Sequence, residues 1–241
     1  MINMPKFFST ELAGDIFTLD SDDSKHIKTV LRAEAGERIT ICDCNGYDYL
    51  CEIDELGKNV TARILEKTAC ESEAAVDIVL FQGLPKGDKM ESIIQKCVEI
   101  GVNAFVPVAC ERSIVKIDKK EDKKKERWQK ISLSAAKQSG RGIIPEVMSS
   151  MTFKNAVLYA KEFDMALIPY EKEKERGIRE AIKGFEGKSI AVFIGPEGGF
   201  SEEEIAFATE NGVMPITLGR RILRTETAGP VTAAVLYYEL D

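Results

Sequence analysis

The chain has 241 residues and a formal net charge of −7 at pH 7, with 44% hydrophobic and 30% charged residues. This composition excludes an intrinsically disordered chain and allows one large domain or two ordinary ones. No apolar run approaches the roughly 18 residues that cross a bilayer, and the first residues lack the apolar stretch of a secretory signal. We therefore expect a cytoplasmic protein without a membrane partner.

The first 72 residues predict a helix followed by a small antiparallel sheet. The helix is expected over 21–32, with Ile27, Val30 and Leu31 on its buried face. Segments rich in β-branched and aromatic residues then alternate with glycine-containing turns, which is typical of strands in a sheet or barrel. The predicted strands are 38–44, 47–54 and 59–67.

Residues 73–241 alternate short apolar runs with helical patterns, after a polar linker at 68–74. This alternation predicts an α/β fold with a parallel sheet, whose ligands bind beyond the carboxyl ends of the strands. Asp88 is expected to cap the first helix, and Gly101 to end it. The predicted strands are 76–81, 104–108, 165–168, 189–194 and 213–218, and the predicted helices are 88–100, 123–139, 153–162, 174–183, 202–211 and 227–239.

Cysteine and histidine content restricts the chemistry. None of the six cysteines forms a C-x-x-C pair and His26 is the only histidine, so we expect reduced thiols and no metal. A Ser-His-Asp hydrolase would have to use His26, which disfavours that class.

Positive charge is concentrated in the middle of the chain. Residues 84–145 carry 14 basic and 8 acidic side chains, whereas residues 1–72 carry 8 basic and 14 acidic ones. A basic block can hold a phosphate backbone even in an acidic protein, because the local field decides binding. A solvated helix face has the same pattern, so charge alone leaves RNA binding open.

A glycine-rich loop follows the predicted strand at 189–194. Its sequence, Gly195-Pro196-Glu197-Gly198-Gly199, brings backbone N–H and C=O groups close to whatever binds, and Ser201 with Glu204 predicts a capping box for the next helix. The loop matches neither a Walker loop nor G-x-G-x-x-G, but it suits an adenine nucleoside. A plain strand-to-helix turn stays the alternative.

A second loop, residues 218–228, places charged residues beside apolar ones. We expect Ile222 and Leu223 to be buried, since burial of each would stabilise the fold by about 1.5–3 kcal/mol. Arg224 and Glu226 would then lie at the rim of a pocket, where we expect them to pair.

The two loops together resemble the SPOUT class of S-adenosylmethionine methyltransferases. More narrowly, the chain is similar to the ribosomal RNA small subunit methyltransferase E family, which methylates N3 of a uridine in 16S ribosomal RNA. The order and spacing of the two loops carry the resemblance to the class, and motifs elsewhere select the narrower family. These motifs are His26-x-x-x-Val30-Leu31-Arg32, residues 96–102, Glu111-Arg112-Ser113, Arg127-Trp128, and residues 135–141 with Pro145.

The resemblance implies a PUA-like β-barrel RNA-binding domain over 1–72. It implies a methyltransferase domain over 73–241 with a C-terminal trefoil knot, and a homodimer with the active site near the subunit interface. The cofactor, S-adenosyl-L-methionine, would be held by three loops. The implied cofactor-binding residues are Ile168, Pro169, Ile194, Gly195, Pro196, Gly198, Gly199, Leu218, Gly219, Ile222, Leu223, Thr227 and Ala228.

Methylation of N3 requires the N3 proton to leave, so a base, or cations that stabilise the anion, would help. We expect Glu226 or Glu197 to take the proton and Arg224 to stabilise the uridinate oxygens; a purely structural ion pair between Arg224 and Glu226 is the alternative. Contacts to 16S ribosomal RNA or the small subunit would come from His26, Arg32, Arg112, Lys116, Arg127, Lys137 and Arg141.

Two other function classes stay open at this point. One is an RNA-binding or ribosome-assembly module that keeps the fold without the chemistry. The other is a SPOUT enzyme that acts on a 2′-hydroxyl of RNA or on transfer RNA. Binding of S-adenosylmethionine would separate the first class from a methyltransferase.

Overall fold

A computed structural model gives the structure of the protein and describes residues 4–114 and 121–240. The chain forms two compact units, one from residues 1–73 with 136–144 and the other from 74–135 with 145–241. The sequence predicted a division near residue 73 but not the return of 136–144 to the first unit. No helix within the described ranges is long and apolar enough to cross a membrane.

The first unit is built on a six-stranded, mostly antiparallel sheet with a buried aliphatic and aromatic core. Its strands are β1 (Lys6–Phe8), β2 (Leu12–Ala13), β3 (Ile16–Thr18), β4 (Arg38–Cys42), β5 (Tyr47–Leu56) and β6 (Val60–Ala69), and its helix is α1 (Ser21–His26). The spatial order is β1-β4-β5-β6-β3-β2, with β1 parallel to β4. The three predicted strands are confirmed, whereas the short strands β1 to β3 were missed and β6 continues into the predicted linker.

The predicted helix at 21–32 is wrong in its second half. After α1 the chain widens into a π-helical turn, Ile27–Leu31, which ends at Arg32 with a left-handed φ of 53°. Ile27 is fully buried, but Val30 and Leu31 are 65% and 40% exposed. A π turn changes the residue spacing, so the apolar face predicted from an α-helical period is not maintained.

The second unit contains a parallel seven-stranded sheet in the order β10-β8-β7-β12-β11-β13, with β9 also paired to β8. The strands are β7 (Asp77–Gly83), β8 (Ala104–Ala109), β9 (Glu146–Val147), β10 (Met151–Thr152), β11 (Met165–Pro169), β12 (Ser189–Ile194) and β13 (Met214–Ile216). The helices are α2 (Lys89–Ile100), α3 (Glu121–Ser139), α4 (Phe153–Tyr159), α5 (Ile178–Ala181), α6 (Glu202–Glu210) and α7 (Thr225–Leu240); the last residues of α3 belong to the first unit.

The predicted α/β alternation is confirmed. Phe81 of β7 and Phe193 of β12 are paired in register and stack at 4.6 Å between ring centroids in the core. Two local predictions are wrong: α5 is only four residues long, and Asp88 makes no capping hydrogen bond with its side chain. The C-terminal knot concerns the threading of the chain and stays a prediction.

Candidate active site

A cavity of about 590 Å³ lies where parallel strands of the second unit end. Strands β7, β12, β11 and β13 are neighbours and run in the same direction, so their carboxyl ends share one edge of the sheet. The walls are the loops that follow β11, β12 and β13, together with Lys89 from α2. All the predicted cofactor-binding residues line this cavity except Ile168, which is buried in the core, and Thr227, which is exposed on α7.

The glycine-rich loop after β12 is a tight turn pressed against the end of β7. The N–H of Gly199 donates to the carbonyl of Pro196 at 2.9 Å, and Gly199 has a φ of 65°, which disfavours any residue with a Cβ atom. A Cβ atom on Gly83 would lie 2.6 Å from Cδ of Pro196, so the two segments meet backbone to backbone. The predicted capping box of Ser201 and Glu204 is confirmed at the start of α6.

A chain of hydrogen bonds joins this loop to the start of α7. Gln82, fully buried at the end of β7, donates from Nε2 to Oγ1 of Thr225 at 2.9 Å. Thr225 in turn donates from Oγ1 to the carbonyl of Gly195 at 2.7 Å. Sequence reasoning missed both side chains, because they are 143 positions apart and each is an ordinary polar residue in its own segment.

The second loop is more exposed than its apolar residues suggested. Ile222 is 87% exposed, although it was expected to be buried, and Leu223 is half-buried. Ile222 lies in the turn between β13 and α7, and within one copy of the chain nothing in its described surroundings buries it. The carbonyl of Arg224 accepts hydrogen bonds from the N–H groups of Thr227 and Ala228 at 2.8 and 2.9 Å, which starts α7 and leaves the guanidinium exposed at the cavity wall.

Lys89 lies between the two predicted catalytic carboxylates. Its Nζ is 2.9 Å from Oε1 of Glu197 and 3.4 Å from Oε2 of Glu226, the second contact falling outside hydrogen-bond geometry. Glu226 was expected to pair with Arg224, but the structure places it against Lys89 instead. Lys89 was missed, since a lysine in the first turn of an amphipathic helix has no distinguishing signal in the sequence.

Lys89, Glu197 and Glu226 stabilise one another's charged forms. The hydrogen bond to Glu197 raises the pKa of Lys89. Burial alone would raise the pKa of Glu197, but hydrogen bonds from Lys89 and from backbone N–H groups outweigh it and leave that pKa below its ordinary value. The pKa of Glu226 is also lowered, first by its backbone hydrogen bond and then by the charge of Lys89, against the opposing effect of burial. Both carboxylates are therefore ionised at neutral pH.

Only some of the predicted RNA-binding residues are available at the surface. His26 and Arg32 are exposed in the first unit, where Lys137 pairs with Asp23 at 2.8 Å. Arg141 is 3% exposed and bound to Glu73 at 2.7 Å, so its predicted contact with RNA does not fit this position. Lys116 lies outside the described residues.

Two predicted RNA-binding arginines lie in the second unit. Arg112 is exposed and donates to the carbonyl of Gly198 at 3.2 Å, which places it beside the glycine-rich loop. The side chain of Arg127 is 62% exposed and lies 2.7 Å from Glu91. Both side chains are accessible, although the guanidinium of Arg127 also lies 3.7 Å from Asp88.

Comparison with known proteins agrees with this architecture. Residues 72–237 match the RNA methyltransferase domain, and residues 19–65 match the RNA methyltransferase PUA domain. The chain belongs to this RNA methyltransferase family. The SPOUT-type resemblance read from the two loops and the PUA-like character of the first region are thereby confirmed.

Relatives of this RNA methyltransferase cover almost its whole length. Ribosomal RNA small subunit methyltransferase E from Bacillus subtilis (strain 168) is 36% identical over 232 residues, which cover 93% of this chain and 91% of that protein. The protein of the same name from Mesomycoplasma hyopneumoniae (strain 232) is 34% identical and is covered to 95%, with 93% of this chain. A crystal structure of the Neisseria gonorrhoeae enzyme bound to S-adenosyl methionine superposes with a TM-score of 0.83 at 33% identity, covering 97% of both chains.

Proposed function

We propose that this RNA methyltransferase transfers a methyl group from S-adenosyl-L-methionine to N3 of a uridine in 16S ribosomal RNA. The observation that carries the proposal is the cavity at the carboxyl edge of the sheet, formed by the two loops through which the sequence resembles the family. Relatives that match over almost their whole length are named for ribosomal RNA of the small subunit, and one of them is a structure with S-adenosyl methionine bound.

The residues of the cavity fit this cofactor. A volume of about 590 Å³ is in the range of small-molecule sites. Gly195, Gly198 and Gly199 leave backbone groups open for an adenine nucleoside, while Leu218 and Leu223 supply apolar walls. The cofactor brings an electrophilic methyl group, so the protein has mainly to align the acceptor and remove its proton.

The charged residues of the cavity are arranged for that task. Glu226 would accept the N3 proton of the uridine, since its side chain lines the cavity, is 23% exposed and has a lowered pKa that keeps it ionised. The exposed guanidinium of Arg224 would stabilise the negative charge that develops on the uracil oxygens. A 2′-hydroxyl acceptor or a transfer RNA substrate is an alternative that the product analysis below would reveal.

The RNA backbone would be held by basic residues of each unit. Arg112 and Arg127 in the second unit, and His26, Arg32 and Lys137 in the first, have side chains at the surface. Phosphate contacts of this kind position an RNA without selecting its sequence, so the choice of uridine would come from RNA shape and from extrusion of the base.

A homodimer is supported by one face of α7. Val231, Val235 and Tyr238 follow helical spacing and are 37%, 36% and 85% exposed, whereas Leu236 and Tyr237 on the other side are buried. A contiguous apolar helix face is a typical site of association. A second copy of the chain is the occupant that the family resemblance implies, and it would place an interface on the helix that begins at the cavity.

The test combines binding with product analysis. Calorimetry should give a saturable signal with S-adenosylmethionine, and 16S ribosomal RNA from cells that lack the protein should lack one N3-methyluridine by mass spectrometry. Purified protein and cofactor should restore that modification. A methyl group found on a ribose oxygen or on transfer RNA would refute the proposed substrate, and absence of cofactor binding would favour an RNA-binding module.

A further inference from the structure

Lys89 has no part in the chemistry described so far. It is the first residue of α2, where the positive end of the helix dipole disfavours a cation. Glu197 holds it there, because Oε1 of Glu197 lies 2.9 Å from the ammonium group. The same oxygen accepts the N–H of Lys86 at 3.1 Å. With two donors already in place, this oxygen of Glu197 is poorly suited to receive a substrate proton.

Glu226 differs from Glu197 in its hydrogen bonding. Its side chain is 23% exposed and its Oε2 atom is buried without a hydrogen bond, 3.4 Å from the ammonium of Lys89. A carboxylate oxygen shielded from water is costly unless a cation lies beside it, so Oε2 depends on the Lys89 ammonium, and the more exposed side of the carboxylate is left to meet a ligand. The two carboxylates therefore have different roles.

We propose that Lys89 is a positioning residue for proton removal, anchored by Glu197, that holds the Oε2 atom of Glu226, keeps the carboxylate ionised and leaves its more exposed side to the N3–H group of the bound uracil. This inference rests on the proposed function. In the step, the Glu226 carboxylate takes the proton and the N–H electron pair stays on N3. N3 bonds to the methyl carbon while the C–S bond of the donor breaks, and the electrons of that bond remain on sulfur.

The charged groups around Glu226 determine the effect of removing Lys89. Its backbone hydrogen bond, Lys89 on α2 and Arg224 before α7 favour the ionised form, and burial opposes it. Glu197 after β12 carries a second negative charge beside Lys89. Without the ammonium group, Glu226 would lose its nearest cation and would face an uncompensated Glu197. Both changes favour the protonated form of Glu226. As the pH is lowered, activity should therefore begin to fall at a higher pH than in the unmodified protein.

The experiment is the pH dependence of methylation with saturating S-adenosylmethionine. In K89M the pH at which kcat/KM declines on the acid side should rise by about one unit. An adjacent cation can shift a carboxylate pKa by roughly 1–3 units, and we expect the lower end of that range because the site is partly exposed. K89R should return this pH towards its value in the unmodified protein. K161M removes the same charge from an exposed turn after α4 and should leave the profile unchanged.

A carbon-13 NMR titration of the Glu226 carboxyl carbon, in the unmodified protein and in K89M, measures the same coupling without turnover. An unmoved Glu226 titration in folded K89M would overturn the inference, as would an equal loss of activity at every pH or failure of K89R to restore the pH of the acid-side decline. If the unmodified protein bound S-adenosylmethionine but methylated no RNA, the proposed function would fail, whereas the coupling between Lys89 and Glu226 would still be measured.

Discussion

Replacement of Thr225 by valine tests whether the hydrogen-bond chain from β7 through α7 to the glycine-rich loop supports the cavity. Valine keeps the branched shape but lacks the hydroxyl, so the bonds to Gln82 at 2.9 Å and to the carbonyl of Gly195 at 2.7 Å are both lost. Gln82 keeps its bond to the carbonyl of Gly83, and Gly195 is half-buried, so neither group is fully stranded. We expect the free energy of unfolding to fall by about 2 kcal/mol, from lost bonds worth roughly 0.5–1.5 kcal/mol each and partial desolvation.

Denaturant unfolding measures the stability change, and calorimetry with S-adenosylmethionine measures the effect on the loop. Affinity should weaken about fivefold if 1 kcal/mol of the change is expressed in the bound loop. Thr225→Ser keeps the hydroxyl and should lose less than half as much stability. Thr209→Val, which removes an exposed hydroxyl of α6, should change stability by no more than about 0.5 kcal/mol. Equal effects of T225S and T225V would refute the role assigned to the hydroxyl.

Three further outcomes are expected. Replacing Arg141 by alanine should destabilise the protein by about 3–5 kcal/mol in denaturant unfolding, because it leaves Glu73 partly buried without its cation. Burial raises the pKa of Glu73, but Arg141 and backbone donors hold it below its ordinary value, so the stability that this pair contributes should decline as acid titration passes below pH ~4.3. Affinity for RNA should fall steeply with salt in filter binding, and Arg127→Gln should reduce the slope of log K against log salt by about one; an unchanged slope would remove Arg127 from the footprint. The double variant of Val235 and Tyr238 to glutamate should sediment as a monomer, and a dimer of unchanged affinity would place the interface elsewhere.

The parts of this structure that the sequence predicted depend on local periodicity. Apolar runs and amphipathic patterns located the helices and five of the seven described strands of the parallel sheet but missed the two-residue strands β9 and β10, and glycine content located the loop after β12. Contacts between distant segments, such as that between Gln82 and Thr225, could not be predicted, because no local pattern indicates which polar residues will meet. The predicted burial of Ile222 was wrong for a different reason. Apolar character predicts burial but does not say whether the same chain or another molecule covers the residue.

The hydrogen-bond chain that reaches α7 also sets the time at which the cavity can form during synthesis. Translation proceeds from the amino terminus, so Gln82 and Gly195 are made well before Thr225. A nascent chain that stops short of α7 can pair β7 with β12. It lacks the Thr225 hydroxyl, which joins the ends of these strands to the start of α7 at the cavity. Affinity for a small molecule should therefore arise only after Thr225 has been made, and chains truncated before Thr225 should not be stabilised by the methyl donor.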